Sequence, residues 1–129
     1  MSFAHSFGLV AALICLAGSG PARADVTLIN VFEVPSDRME ETIAAWEKAR
    51  DFLSREPGFR STSLHRALRP DARFALVNVA RWEDAKAFQN ATRRMREAGI
   101  FPAIEGLRIH PALYTVIRSD AVRGKHGRP

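Results

Sequence analysis

The run Val26 to Val34 (VTLINVFEV) has no polar face. Thr27, Ile29 and Val31 alternate with Leu28, Asn30 and Phe32, and neither set suits solvent. A strand of this kind belongs in the middle of a sheet that is covered on both sides. Pro35 ends it, and Ser36 and Asp37 offer N-caps. Asp37 and Glu40 have the spacing of a capping box. Apolar residues at Met39, Ile43, Trp46, Ala49 and Leu53 recur every three to four positions, which predicts an amphipathic helix over 37–55 that stops at Pro57-Gly58.

Phe59 to Leu68 (FRSTSLHRAL) and Phe74 to Trp82 (FALVNVARW) read as two strands joined through Pro70-Asp71, close enough to pair as an antiparallel hairpin. Glu83 and Asp84 then set negative charge at a helix start, where the dipole favours it. Ala85, Phe88, Ala91 and Met95 line one face of that second helix, and Gly99 can end it. The last strand is expected at Ile109 to Ile117 (IHPALYTVI), with Pro111 marking an edge position or a bulge.

The element order is therefore βαββαβ. It is the ferredoxin-like α+β arrangement, with both helices on one face of a four-stranded antiparallel sheet. The other face needs a cover, and the simplest is the same sheet from a second copy in a two-fold homodimer.

A chain of 129 residues holds one core of this size, expected over 25–118. Residues 1–24 differ from the rest. Phe7 to Gly18 is uncharged and apolar, shorter than the ~20 residues of a membrane span, and leads to Ala22-Arg23-Ala24. This pattern predicts a cleaved secretory signal and a periplasmic or secreted domain that has no membrane attachment after cleavage. The single cysteine, Cys15, falls within that segment, so the domain itself is expected to carry no disulfide. Net charge is +5, partly on a basic tail over 119–129 that is expected to be disordered. Elsewhere Lys and Arg alternate with Glu and Asp along the helices instead of forming a stripe, which argues against a nucleic-acid partner.

Three stretches together resemble the antibiotic biosynthesis monooxygenase family: LINVFEV on the first strand, PGFRSTSLHRAL leading through the second, and ARFALVNVARWEDAKAF from the third strand into the second helix. HPALYTVI is a weaker fourth. The resemblance implies a dimeric α/β barrel. It also implies an oxygenase that uses O2 without metal or flavin on a small electron-rich aromatic compound, such as an anthrone or quinol. Such a reaction calls for an apolar slot, hydrogen-bond donors for a phenolate oxygen, and an acid or base of suitable pKa.

Candidates for each task follow. Asn30 and Asn78 interrupt apolar strands, and a buried Asn is costly unless bonded; each has either a pocket role or a bond within the sheet. An Asn at the position matching Asn30 lines the pocket in related oxygenases. His65, with a side chain that titrates near neutrality, is a candidate proton shuttle or a histidine held by sheet backbone. Strand parity groups it with Phe59, Ser61 and Ser63. Trp82 either walls the slot or closes the core at the strand-helix junction. Trp46 and Phe88 are core or roof, Tyr114 is a proton donor or an edge aromatic, and His110 marks the start of the last strand. At the positions where heme-degrading members of the superfamily carry a second tryptophan and the heme-ligating histidine, this sequence has Ala91 and Phe101. No metal-ligand spacing is present. The reading is a cofactor-independent monooxygenase, and its rival is a dimeric domain that binds or senses a small ligand without catalysis.

Overall fold

The computed structural model describes residues 25–122. The predicted secretory segment, 1–24, and the last residues of the basic tail, 123–129, lie outside the described residues. Four strands and two helices follow in the order expected: β1 (Val26–Glu33), α1 (Met39–Leu53), β2 (Phe59–Arg66), β3 (Leu76–Trp82), α2 (Ala85–Glu97) and β4 (Arg108–Tyr114). The sheet order is β2-β3-β1-β4 with all neighbours antiparallel, which is the ferredoxin-like topology. β1 is central, as its two apolar faces require. β4 is an edge, which accommodates Pro111 opposite Asn30.

The Asp37–Glu40 capping box does not form. Pro35, with φ −56°, leads directly into a 3-10 turn over Ser36–Arg38, closed by the Arg38 amide donating to the Pro35 carbonyl at 2.9 Å. That turn moves the start of α1 past Asp37 and makes Arg38 the N-cap, without a side-chain cap bond. Thr42 is fully buried and ties the first turn down instead, its Oγ1 donating to the Arg38 carbonyl at 2.7 Å. α2 starts as its sequence suggests, with the Asp84 carboxylate accepting from the Ala87 amide at 2.8 Å. It ends at Gly99, whose φ of +63° suits the left-handed residue just past a helix.

Gly58 brings β2 close to α2. Its φ is +85°, and a Cβ there would lie 2.5 Å from the Ala87 Cβ, so no larger residue fits without displacing the helix. Its carbonyl accepts from the Glu83 amide at 2.8 Å. This contact sets Phe59 beside Trp82, ring centroids 5.4 Å apart and edge-to-face. Phe88 meets the same indole from α2 at 5.8 Å. Trp82 is 1% exposed and centres a core with Leu28, Ala80 and Ala91, packed further by Leu53, Phe59 and Phe88.

The two sheet faces differ. Leu28, Phe32, Leu76, Ala80 and Trp82 are buried on the helix side. Ile29, Val31, Val77 and Val79, one position out of phase, stay only half-buried within a single chain. Between Phe59 and Ser61 the β2–β3 register shifts: Phe59 pairs with Trp82, but Ser61 pairs with Arg81. Arg60 is the extra residue of a β-bulge. Phe59 and Thr62 therefore both face the helices, and His65 faces away. The parity grouping of His65 with Phe59 is thus corrected by one inserted residue.

Beyond β4 the described residues have no regular structure, and Val116, Ile117 and Val122 are exposed. No helix among the described residues is long and apolar enough to cross a membrane.

Candidate active site

A cavity of about 370 Å³ lies between the sheet and the two helices. This is within the usual size range of small-molecule sites. β1 and β3 supply its floor through Leu28, Asn30, Phe32, Asn78, Ala80 and Trp82. Trp46 and Leu53 from α1, with Phe88 and Met95 from α2, form the roof. The helical spacing that makes Trp46 and Phe88 look like core residues is the same spacing that turns them toward the sheet, so each serves core and roof together.

The polar groups of the floor are few and adjacent. Asn30 and Asn78 are direct cross-strand partners. Asn78 is 8% exposed, and its Oδ1 accepts a 2.7 Å hydrogen bond from Thr62 Oγ1 on β2. That bond fixes the amide with its oxygen toward Thr62, so the NH2 group is what Asn78 offers to the cavity. Asn30 is the complement: its Oδ1 is buried with no hydrogen-bond partner. A buried acceptor left unpaired costs roughly 1–3 kcal/mol. On the other side of Asn30 stands Pro111 of β4, which has no amide hydrogen to donate. The floor thus presents a donor beside an unmatched acceptor in an otherwise apolar slot.

His65 does not join them. It pairs with Val77 on the opposite sheet face, is exposed, and its Nδ1 lies 3.2 Å from the Val77 carbonyl oxygen. The geometry matches a histidine held by sheet backbone, and the bulge at Arg60 is the reason. Tyr114 also falls outside the cavity. It pairs with Thr27 on the same outer face and is half exposed. His110 Nε2 donates to Glu33 Oε2 at 2.8 Å, and Arg73 donates to the other carboxylate oxygen at 3.1 Å. The His110 bond, then that of Arg73, holds the Glu33 carboxyl below the usual carboxylate range.

Four polar or charged lining residues, Thr62, Thr92, Arg50 and Arg96, do not stand out in the sequence. Thr62 is identified only once the β2 register is known. Arg50 could have been found, because it lies four residues after Trp46 on α1 and its guanidinium sits 5.4 Å over that ring. Arg96 follows Met95 near the end of α2 and also lines the cavity. Among the described residues that line it, none is a carboxylate, histidine, cysteine or tyrosine. The described lining thus offers no carboxylate or imidazole as a general base, and Met95 is its one side chain of a type that ligates heme iron.

The profile of the family described as Antibiotic biosynthesis monooxygenase matches residues 25–95. A candidate monooxygenase from Shewanella loihica PV-4 is 46% identical over 74% of this chain and 97% of its own, with a TM-score of 0.69. SnoaB, a cofactor-independent oxygenase from Streptomyces nogalater, is 26% identical over 74% of this chain and 96% of its own, with a TM-score of 0.58. The heme-degrader MhuD from Mycobacterium tuberculosis, solved with two hemes in its active site, shares the fold at 21% identity and a TM-score of 0.57, over 74% of this chain and 99% of its own. Among curated proteins none matches this chain.

Proposed function

Because the chain belongs to the antibiotic biosynthesis monooxygenase family, we propose that it is a cofactor-independent oxygenase acting on a small quinol- or anthrone-like aromatic compound. The observation that carries this reading is the buried, unpartnered Oδ1 of Asn30 beside the NH2 of Asn78, in a slot walled by two tryptophans and four phenylalanines. A phenol or enol answers both groups at once. Its O–H donates to Asn30 Oδ1, and its oxygen accepts from Asn78 Nδ2.

As the hydroxyl ionises, the Asn78 donor stabilises the oxyanion, and the electron-rich ring becomes able to reduce O2. For an anthrone, the ring methylene becomes a carbonyl. One atom of O2 enters the product, the other leaves as water with both methylene hydrogens, and the substrate is the only reductant. With no base in the lining, the first proton goes to solvent water, which selects substrates that ionise easily. Asn30 and Asn78 are the catalytic residues of this proposal, and Trp46, Trp82 and Phe88 bind the substrate. SnoaB, a cofactor-independent oxygenase of the same fold, supports the reading.

Oxygen uptake over a panel of anthrones and hydroquinones tests it. Wild type should turn over at least one member, and an Asn30→Ala, Asn78→Ala double variant should not. His65→Ala should match wild type, since the residue lies on the opposite face. No turnover above the double variant across the panel would remove the oxygenase reading. It would leave the second reading, a domain that binds a small aromatic without changing it, which the lack of a titrating acid or base in the lining favours.

The outer sheet face bears on assembly. Ile29, Val31, Val77 and Val79 form an apolar patch at the centre of the sheet, and family members form barrels by pairing such faces. We infer a homodimer closed through this face. Light scattering should give a mass of twice the chain, and Val79→Asp, which sets a charge in the middle of the patch, should give a monomer. The apolar run Phe7 to Gly18 supports a periplasmic or secreted site of action.

A further inference from the structure

We propose that the natural substrate carries a carboxylate or similar anionic group remote from its reacting hydroxyl, and that Arg50 and Arg96 recognise it at the cavity mouth. The proposal deepens the oxygenase reading above by naming a feature of its substrate. It rests on the charge inventory of the lining: among the described residues that line the cavity, Arg50 and Arg96 are the only charged side chains, and the one acid paired with either, Asp51, lies outside the lining.

The placement of the two arginines gives the recognition a direction. Asn30 and Asn78 are on the sheet floor, whereas Arg50 and Arg96 are exposed and come from the helices above it. A ligand with its hydroxyl on the asparagines must extend its far end toward the mouth. The Arg96 side chain has no hydrogen bond or ion pair among the described residues, although Arg93 and Arg94 nearby pair with Glu97 and Glu56. Arg50 donates through Nε and one terminal nitrogen to the neighbouring Asp51, at 3.2 and 3.1 Å, and its Cζ lies 5.4 Å from the centre of the Trp46 ring. Asp51 is exposed and does not line the cavity, so it orients the guanidinium from outside while the other terminal nitrogen stays free. A guanidinium held by two hydrogen bonds beside an aromatic wall is preorganised for a planar carboxylate.

A matched pair of ligands isolates this term: 6-hydroxy-2-naphthoate and its carboxamide share ring, hydroxyl and shape but differ in charge. Calorimetric titration of the full-length protein should show the carboxylate binding about tenfold or more tighter, as expected for charge-assisted hydrogen bonds. An Arg50→Met, Arg96→Met variant should bring the two affinities together by weakening the carboxylate alone. Arg50→Lys, Arg96→Lys should keep part of the preference, and Arg96→Glu should reverse it. Circular dichroism of each variant should match wild type, since both side chains are at the surface. Equal affinity of the two ligands for wild type, a preference that survives the methionine variant, or failure of the carboxylate to bind at all would each overturn the proposal. With oxygen excluded the titration reads binding alone, so a failed oxygenase assay leaves its outcome unaffected.

Discussion

Trp82→Ala is expected to destabilise the domain by about 3–5 kcal/mol, the usual cost of emptying a buried indole site. The indole is 1% exposed and held edge-to-face by Phe59 and Phe88, so its removal forfeits burial and two ring contacts. Collapse around the gap is limited. Phe59 is anchored by the Gly58 turn, which has no space to move toward Ala87, and on the β1 side Trp82 faces the smaller Val26. For a domain of this size each kcal/mol shifts the melting temperature by roughly 4–8 °C, so a fall on the order of 15 °C or more is expected. Urea unfolding followed by circular dichroism measures it without relying on the tryptophan removed. A loss under about 1 kcal/mol, well below that range, would show that this side chain is not central to the core.

The second large effect should be on rate and not on stability. Asn30→Leu is expected to lower kcat/KM for the best substrate of the oxygen-uptake panel by about 10²–10³, the scale on which a single polar contact to a reacting oxygen acts. The folded chain should meanwhile be as stable as wild type or up to about 1–3 kcal/mol more stable, because the substitution removes a buried acceptor that has no partner. Leucine has the branched shape and heavy-atom count of asparagine, and its bulkier methyl groups face an open, largely apolar cavity. The comparison with Asn78→Leu makes the test sharper, since that change strands the Thr62 hydroxyl and should cost stability as well as rate. An Asn30→Leu protein with unimpaired turnover would show that the orphan oxygen does not meet the substrate. Retaining an unsatisfied group in the core is a familiar sign of a site kept for binding.

Much of this arrangement was legible in the chain itself. The two apolar faces of Val26 to Val34 required a central strand, Pro111 pointed to an edge position or a bulge, and helical spacing turned Trp46 and Phe88 toward the sheet. Asn30 and Asn78 stood out as polar interruptions, and the expectation that a buried Asn must find a partner is met for Asn78 by Thr62. The face of His65 was not legible. Period-two parity carries only as far as the ladder is regular, and the extra residue at Arg60 gives no strong signal in a run as polar as FRSTS. The helix start is hidden for a similar reason: a 3-10 turn takes up Asp37 before the α-helix begins. Arg50 and Arg96 were hidden by their chemistry. Long cations on amphipathic helices usually mark the solvated side, and only the roof geometry shows that these two flank an opening.

Pro111 has an effect outside the cavity that it helps to line. It lies in the outermost strand, where a run of unpaired amides would otherwise be free to template further strands from neighbouring molecules. A proline in that row removes a donor from the edge, so an incoming chain would meet a gap in its ladder. For a protein with a strand as apolar as VTLINVFE at the centre of its sheet, this gap acts as a gatekeeper against fibrous aggregation, permitting closed assembly through the face while discouraging open-ended growth along the edge.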